Sequence, residues 1–482
     1  KIMAFKHGID TTESEVESIA PQTGSAGFQV IIGTAPINLS EDPEAAVNTP
    51  IIVYSKTEAQ KKVGYNTNFR EYTLCQSVSA NSDLFNIAPY VLINVLDPKK
   101  HKKDLSKKTI PVVAKTAHIA ENGIMLSTLE ITDQSSAKLE RGNDYLVSFD
   151  NSGEVDITLL SGGKGASATS LNVSATQLDP SKVTEADIIG GYDVSTGKET
   201  GLELVRQVYP KFGMTPGLLV CPEWSKKPLV AAAMAAKCES LNGVFTCECV
   251  IDMDTKTAKE YSGLKEKKEA MGVANQHQIL LWPMVKKGSL VYSYSAVWAA
   301  MAAYTDVSKN NDVPCKSPSN ELLNIDATVL EDGTELLLDS TQAELVNSFG
   351  IVTAINDNGW RSWGNMTAAY PGVTTQKDKW INCRRMMSWY RNHIILTYKS
   401  KVDDNANPVL IQAITDSENQ YLNSLTPDRI AGGQIVYDAD STSLLNGEVA
   451  FLTNIAFWGP AQHIVDEIRF NPSILTEAMG GV

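Results

Sequence analysis

Short apolar runs separated by helical stretches mark two parts of the chain. The first part contains FQVIIG from Phe28, a helix that begins after Ser55 with Glu58 in the capping-box position, and the apolar run YVLINVL at 90–96. The second part begins near Thr196 and alternates the strands LLVCP, VFTCECVID, QILLWPMV and IVTAIN with helices such as KPLVAAAMAAKCES and YSAVWAAMAAYTD. Apolar strands separated by helices of this length predict a mostly parallel sheet covered on both faces. We therefore expect an α/β core that is discontinuous in sequence.

A different pattern separates these two parts. DYLVSFD and EVDITLL alternate apolar and polar residues around the NSG turn at 151–153, which predicts an antiparallel hairpin in an inserted all-β domain. The interval opens with six lysines and one aspartate at 99–108, a run that favours a solvated linker over a specific anion site. Gly-Gly-Lys-Gly within SGGKGASATS lacks Walker A spacing, so no phosphate loop is predicted there.

The last third predicts an α+β C-terminal domain. Helical patterns cover 376–397 and 408–430, and the strands GGQIVYD, EVAFLTNIAFW and HIVDEIRF follow. The first helix carries five basic residues against Asp378, namely Lys377, Lys379, Arg384, Arg385 and Arg391. Because Lys377, Arg384 and Arg391 recur every seven residues, they would line one side, which is either a solvated face or a docking face.

The pattern divides the chain into six segments. Polar residues 1–27 form an N-terminal arm, and 28–98 with 193–357 form the two pieces of the α/β core. Residues 99–192 are the inserted β domain, 358–460 the C-terminal domain, and 461–482 a C-terminal strand or arm. The predicted fold class is therefore an α/β core with a mostly parallel sheet, an inserted all-β domain, an α+β C-terminal domain and extended terminal arms.

Composition and charge limit the classes of function. Hydrophobic residues make up 43% and charged residues 20% of the chain, which is typical of soluble globular proteins. No apolar run reaches the roughly 20 residues that span a bilayer, and KIMAFKHGID lacks a signal-peptide core, so we expect no membrane insertion. Seven cysteines without a CxxC pair favour free thiols in a reducing compartment, and a net charge of −14 argues against direct nucleic-acid binding.

No short spacing in the chain announces catalysis. No two of the six histidines have metal-chelating spacing, and neither a G-x-S-x-G elbow nor a Rossmann glycine set occurs. We therefore expect no catalytic, cofactor or metal site and no enzyme. The alternative is an α/β hydrolase or nucleotide-dependent enzyme with a β accessory domain. Fold class alone supports this alternative. A hydrolase of this kind would need a catalytic triad assembled from residues far apart in sequence.

The stretch NGWRSWGNMTAAYP at 358–371 stands out because it holds two tryptophans three residues apart between glycines. On physical grounds it is a Gly-bounded turn pinned by buried tryptophans. Its Trp360, Trp363, Gly364 and Asn365 resemble the "G…WG-N-x-T" signature at the junction into the last domain of contractile tail sheath proteins. FQVIIGTAPI and TPDRIAGGQIVYD resemble two further stretches of that family, in the family's order along the chain.

This resemblance implies a structural subunit of a contractile tail sheath, from a phage tail, an R-type bacteriocin or another contractile injection system. Such subunits polymerise as hexameric rings stacked helically around an inner tail tube protein and contract to drive the tube through a target envelope. Baseplate and terminator proteins would bind the ends of the assembly. Assembly would take place in the bacterial cytoplasm, and the subunit would then belong to a virion or released particle.

Two sets of residues follow from the resemblance as contact sites. The terminal arms would complete β-structure in neighbouring subunits through Phe5, His7, Ile9, Ile464, Ile468 and Phe470. The basic helix would face the tube through Lys377, Arg384, Arg385 and Arg391.

Overall fold

The computed structural model describes residues 25–150, 152–194 and 197–480. Its first part contains five elements in the order strand, strand, helix, helix, strand: β1 Gln29–Gly33, β2 Ile51–Val53, α1 Lys56–Val63, α2 Leu74–Ser79 and β3 Tyr90–Asn94. Ser55 caps α1 as predicted, because its side chain accepts a hydrogen bond from the backbone N–H of Glu58. The predicted strands at Phe28 and at 90–96 are confirmed, and both are buried along their whole length.

The next part is a sequence of antiparallel strands, β4 Lys102–Pro111, β5 Thr116–Ile119, β6 Glu130–Asp133, β7 Tyr145–Phe149, β8 Val155–Leu159 and β9 Ser170–Leu178. They form two sheets, in the orders β4-β9-β6 and β5-β8-β7, whose apolar side chains share one hydrophobic cluster. The predicted hairpin around the NSG turn is confirmed as β7 paired with β8.

The lysine-rich run at 99–108 is not the linker that we expected. Most of it is strand β4, which pairs with β9 and lies at the edge of its sheet. Charged residues on both faces are tolerated because an edge strand has backbone partners on one side only, and lysines there oppose unwanted pairing with other chains. The lysine run therefore indicated correctly that this segment is exposed, but it did not indicate that the segment is a strand.

The chain then continues with α3 Glu185–Ile189, β10 Gly191–Asp193, β11 Lys198–Thr200, α4 Val208–Phe212, β12 Leu218–Val220, α5 Pro228–Glu239, β13 Glu248–Asp252, α6 Leu264–Met271 and β14 Gln278–Leu281. Strand β11 and a 3₁₀ segment at Gly201–Gln207 precede α4. Gly272 ends α6 in the left-handed conformation, which glycine adopts at little steric cost.

Within the described residues, six strands make up the central sheet, in the order β14-β13-β12-β1-β3-β2. All neighbours are parallel except β2, which pairs antiparallel with β3. The prediction of a sheet built from two separate parts of the chain is confirmed by the pairing of β1 with both β3 and β12. The fold is thus mixed α/β with a partly parallel sheet.

The segment after the central sheet contains β15 Met284–Lys287, β16 Leu290–Tyr292, α7 Tyr294–Asn310, β17 Ala327–Val329, β18 Glu335–Leu336, α8 Ser340–Ser348, β19 Thr353–Asn356 and β20 Trp360–Trp363. QILLWPMV is two strands rather than one, because Pro283 has no N–H for a continuing ladder and β15 joins a separate antiparallel sheet. Helix α7 is buried along most of its length against the central sheet.

The last part contains α9 Gln376–Lys379, α10 Ile381–Tyr398, α11 Pro408–Leu425, β21 Gly432–Tyr437, β22 Phe451–Ala456 and α12 Ser473–Met479. Helices α10 and α11 pack around a small hydrophobic cluster that includes Cys383, Trp389 and Leu422. Strands β21 and β22 form a two-stranded hairpin. HIVDEIRF, which we expected to be a strand, has no strand partner within the described residues. No described helix combines the length and apolar character needed to cross a bilayer.

Candidate functional site

The first described residues of the chain, 25–28, are held between two helices, and we call them the arm root. Ser25 Oγ donates to Asp312 Oδ1 at 3.0 Å, just after α7. Arg385 of α10 donates from Nη2 to the backbone oxygen of Ala26 at 3.1 Å. A Cβ on Gly27 would lie 2.8 Å from Cα of Ala303, so this close approach to α7 requires glycine. The arm root is therefore fixed to both the core and α10.

A buried ion pair supports the arm root. Arg385 Nη1 lies 3.2 Å from Asp306 Oδ1, Nη2 also binds Asp306 Oδ2, and both side chains are 1% exposed. Burial raises the pKa of Asp306, and the charge of Arg385 opposes that rise. Burial likewise raises the pKa of Asp312 to about 6, and the hydrogen bond from Ser25 opposes that rise.

The structure corrects two of the four residues that we expected to face a tube. Arg385 is enclosed by Asp306 and the arm root, and Arg384 is 4% exposed, with Nη1 donating to Asp378 Oδ1 at 3.1 Å and Nε lying 3.9 Å from Glu248. Carboxylates from three elements neutralise these guanidinium groups, which is why they can be buried. Neither side chain is available to a partner.

The other two, Lys377 and Arg391, are exposed. They do not share one regular helix, because Trp380 has an extended backbone that separates α9 from α10. The seven-residue spacing therefore does not define a continuous basic stripe. A tube-facing role for Lys377 and Arg391 stays a prediction.

The junction stretch forms a hairpin instead of a simple turn. Strands β19 and β20 pair antiparallel and are joined by a turn at Asn358–Gly359. Trp360 is buried, and its Nε1 donates to the backbone oxygen of Asp326 at 2.8 Å. Trp363 is half-buried. The strand β19 lies beside β14 through a bridge between Leu281 and Val352, so the hairpin is attached to the edge of the central sheet.

Gly364 and Asn365 connect this hairpin to α10. Gly364 has φ +125°, and a Cβ there would lie 2.6 Å from Nδ2 of Asn347, which binds the backbone oxygen of Trp363 at 2.9 Å. The side chain of Asn365 donates to Asn382 Oδ1 at 2.9 Å, and its backbone oxygen accepts from Ile381 N at 3.0 Å. Asn382 in turn donates to the backbone oxygens of Cys315 and Trp458. Asn365 thus positions the start of α10 against the core.

Lys268 of α6 adds a link that sequence reasoning missed. Its Nζ donates to the backbone oxygens of Phe349 at 2.6 Å and Tyr370 at 2.7 Å, which lie on opposite sides of the junction hairpin. Burial lowers the pKa of Lys268 to about 8. A lysine in the charge-rich sequence LKEKKEAM gives no signal that it turns inward, so tertiary structure alone identifies it.

The C-terminal tail is exposed and carries apolar side chains among charged ones. Ile464, Ile468 and Phe470 have exposed fractions of 84%, 89% and 82%, and between Ala456 and Ser473 the chain has no helix or strand. Exposed apolar side chains in such a run are typical of a surface that another molecule covers. Phe5, His7 and Ile9, the N-terminal residues predicted to act in the same way, lie outside the described residues.

A buried serine–aspartate cluster at the carboxyl end of β13 has a structural explanation. Asp252 accepts hydrogen bonds from the N–H of Ser295 at 2.8 Å and from the hydroxyls of Ser295 and Ser225 at 2.5 and 3.1 Å. Burial raises the pKa of Asp252 to about 6. Because Ser295 lies in the first turn of α7, Asp252 satisfies N–H and hydroxyl donors at that helix start.

The described residues form a mixed α/β protein in which the arm root is anchored, Lys268 braces the junction hairpin and the C-terminal tail exposes apolar side chains. No family model matches the sequence. The chain is 26% identical over 440 residues to the tail sheath protein of Burkholderia phage BcepMu, covering 88% of this chain and 87% of that protein. It is 25% identical over 301 residues to a putative prophage major tail sheath protein of Pseudomonas aeruginosa strain UCBPP-PA14, covering 61% and 74%.

Solved structures share the fold. The sheath complex of an extracellular contractile injection system, PVC, in the contracted state has a TM-score of 0.58 at 13% identity, covering 98% of this chain and 100% of that one. The six-fold symmetrised baseplate of the anti-feeding prophage has a TM-score of 0.57 at 13% identity, covering 97% and 100%. The predicted resemblance to contractile tail sheath proteins is confirmed, and the relatives support a structural sheath role. They do not support the enzyme alternative.

Proposed function

We propose that this chain is the sheath subunit of a contractile particle, that it polymerises around an inner tube, and that it performs no catalysis. The observation that carries the proposal is the exposed apolar tail on a chain whose relatives are named tail sheath proteins. A soluble protein that kept Ile464, Ile468 and Phe470 in water would aggregate, whereas a polymer subunit would bury them against its neighbour.

Strand addition is the form of contact that the tail suits. In HIVDEIRF the apolar residues alternate in part with charged ones, as in a half-buried strand, and the segment lacks a strand partner among the described residues. We propose that it pairs with a sheet edge of an adjacent subunit, where main-chain hydrogen bonds supply affinity and apolar side chains fix the register. The N-terminal arm, with Phe5, His7 and Ile9, would act in the same way from the arm root.

The domain division supports the same proposal. Three hydrophobic clusters lie in the α/β core, in the two β sheets of 99–192, and around α10 and α11. We propose that these are the core, inserted and C-terminal domains near the boundaries expected from the sequence, except that β20 belongs to the core, because it pairs with β19 and Trp360 lies in the core cluster. The C-terminal domain would line the tube, and the inserted domain would face outward.

The proposed partners are other copies in stacked hexameric rings, the tube protein, and baseplate and terminator proteins. One structural neighbour is a baseplate with six-fold symmetry, which supports rings of six. Contraction would release interface free energy as subunits move between two packings, so it would need no nucleotide. Assembly in the bacterial cytoplasm would precede incorporation into the particle.

Negative-stain microscopy of the purified chain tests the proposal. We expect helical tubes or ring stacks from the wild type, and soluble monomers from a variant with Ile464→Ser, Ile468→Ser and Phe470→Ser. The matched control, Asp466→Asn with Glu467→Gln, changes charged residues of the same segment and should still assemble. Normal tubes from the triple serine variant would contradict the proposed role of the tail. Normal tubes from a variant that lacks residues 1–20 would contradict the proposed role of the N-terminal arm.

A further inference from the structure

Four ionisable side chains meet on one face of the inserted β region, and we call His118, Asp150, Glu154 and Asp156 the hairpin cluster. In the pairing of β5 with β8, His118 lies directly opposite Asp156. Glu154 is two residues before Asp156 and so points to the same face, while Ala117, Val155 and Ile157 point into the core. Asp150 and Glu154 face each other across the β7–β8 turn, where the backbone N–H of Asp150 donates to the backbone oxygen of Glu154 at 2.9 Å.

The distances in the cluster are those of a ligand set. His118 Nε2 lies 2.9 Å from Glu154 Oε2, and donor atoms of His118, Asp150 and Glu154 all lie within 4.8 Å of one another. Tetrahedral ligands about 2.1 Å from a zinc ion are roughly 3.4 Å apart, so a rotation of the half-exposed Glu154 side chain would admit an ion. Asp150 is already held, because its Oδ1 accepts the backbone N–H groups of Ser152 and Glu154.

Asp156 supplies the support that a metal-binding histidine ordinarily has. Its Oδ1 lies 2.9 Å from His118 Nδ1, on the side of the ring opposite Glu154. A carboxylate in this position fixes the ring orientation and leaves Nε2 directed at the ligand site. Imidazole together with two carboxylates suits divalent first-row metals such as Zn²⁺, whereas Ca²⁺ prefers six or more oxygen ligands.

We propose that the hairpin cluster is a binding site for a divalent transition-metal cation, with His118, Asp150 and Glu154 as ligands, Asp156 as the positioning residue and water completing the coordination. Sequence spacing provides no reason to expect the site, since these residues are spread between positions 118 and 156 and none are paired at a chelating interval. The alternative occupant is a proton on His118, which would donate to both flanking carboxylates.

A bound cation would act on the contact between the inserted region and the core. The turn that carries Asp150 and Glu154 also presents the backbone oxygen of Ser152 to Nδ2 of Asn66 at 2.8 Å. A cation that joins β5 to this turn would restrict its movement and so strengthen that contact. The site would therefore couple metal binding to the stability of the inserted region, without dependence on the sheath role proposed above.

Calorimetric titration of the full chain with ZnCl₂ tests the proposal, in a Cys315→Ser background. All seven cysteines lie in the described part of the chain, six are buried and Cys315 is partly exposed, so this substitution removes the competing accessible thiol. We expect one equivalent of Zn²⁺ to bind with a Kd below about 100 µM. His118→Ala and the double variant Asp150→Asn with Glu154→Gln should each weaken binding at least tenfold, and Asp156→Asn about 10- to 100-fold.

His463→Gln, which alters an exposed histidine elsewhere, is the matched control and should bind as the background does. Circular dichroism verifies folding of each variant, and the carboxylate variant keeps the test decisive if His118→Ala does not fold. Absence of Zn²⁺ binding by the background protein would overturn the proposal and favour the protonated histidine. Unchanged affinity in the carboxylate variant, or tighter binding of Ca²⁺ than of Zn²⁺, would also overturn it.

Discussion

Arg385 and Asp306 form an ion pair inside the protein, with each side chain 1% exposed, and it joins α10 to α7. The same guanidinium binds the backbone oxygen of Ala26, so one side chain connects the core, the C-terminal helices and the arm root. Arg385, which the sequence pattern assigned to an outer surface, is therefore a buried residue that holds three parts of the structure together. Changes at this position test folding and not docking.

Arg385→Met should lower the free energy of unfolding by about 3–5 kcal/mol, because it leaves the carboxylate of Asp306 buried without its partner. Lys138→Met is the control, since Lys138 and Glu130 form an ion pair whose side chains are 70% and 65% exposed. The control should change the free energy by less than about 1 kcal/mol. Denaturant unfolding of both variants measures the difference, and equal effects would contradict a special role for the buried pair.

Sequence pattern predicted the elements of the core because burial there follows simple periodicity. FQVIIG, YVLINVL and LLVCP are apolar and short, and each is a buried strand of the central sheet. Pattern failed where pairing between distant residues decides burial. Arg384 and Arg385 each carry a full positive charge, yet Glu248, Asp306 and Asp378 neutralise them from elsewhere in the chain.

The same limit explains the other differences. The lysines of β4 face solvent, as their charge requires. Their backbone nevertheless pairs with β9, and side-chain charge does not predict backbone pairing. HIVDEIRF has the composition of a strand, and the described chain offers it no partner. Lys268, which braces the junction, and the hairpin cluster both depend on contacts between residues far apart in sequence.

The pH dependence of stability should report on Asp252. Burial raises the pKa of its carboxyl group to about 6 from the usual value of 3.8, so the folded state binds the proton more tightly than the unfolded state. The resulting stabilisation is complete below about pH 4 and is lost as pH rises through 6, a change of roughly 3 kcal/mol for this shift. Asp252→Asn should remove this component from unfolding curves measured between pH 4 and 7.

Asparagine suits that position because its side-chain oxygen can still accept from Ser295 N, and its amide can donate to the serine hydroxyls. Glu130→Gln, at an exposed carboxylate, is the control and should leave the pH profile as in the wild type. A profile of Asp252→Asn that parallels the wild type over the whole range would contradict the assignment.

Gly364→Ala should destabilise the junction by roughly 1–3 kcal/mol, since φ of +125° is unfavourable for a residue with a Cβ. The new methyl group would also meet Asn347 Nδ2 at 2.6 Å and displace it from the backbone oxygen of Trp363. Gly432→Ala is the matched control, because its Cβ would meet no atom within 4 Å. Thermal unfolding should show a lower midpoint for Gly364→Ala alone, and equal midpoints would show that the junction tolerates a side chain.

The last prediction concerns the two basic residues that stay exposed. Charge reversal through Lys377→Glu and Arg391→Glu should weaken tube-templated assembly while leaving the monomer folded, because both side chains are exposed. Rim charges act mainly through long-range attraction, so wild-type assembly should weaken with salt and the variant should respond less. Lys107→Glu with Lys138→Glu, at two exposed lysines of the inserted β region, is the matched control for net charge and should assemble normally. Sedimentation with purified tubes at low and moderate salt measures the effect. If the double variant co-sediments as the wild type does at both salt concentrations, Lys377 and Arg391 do not bind the tube.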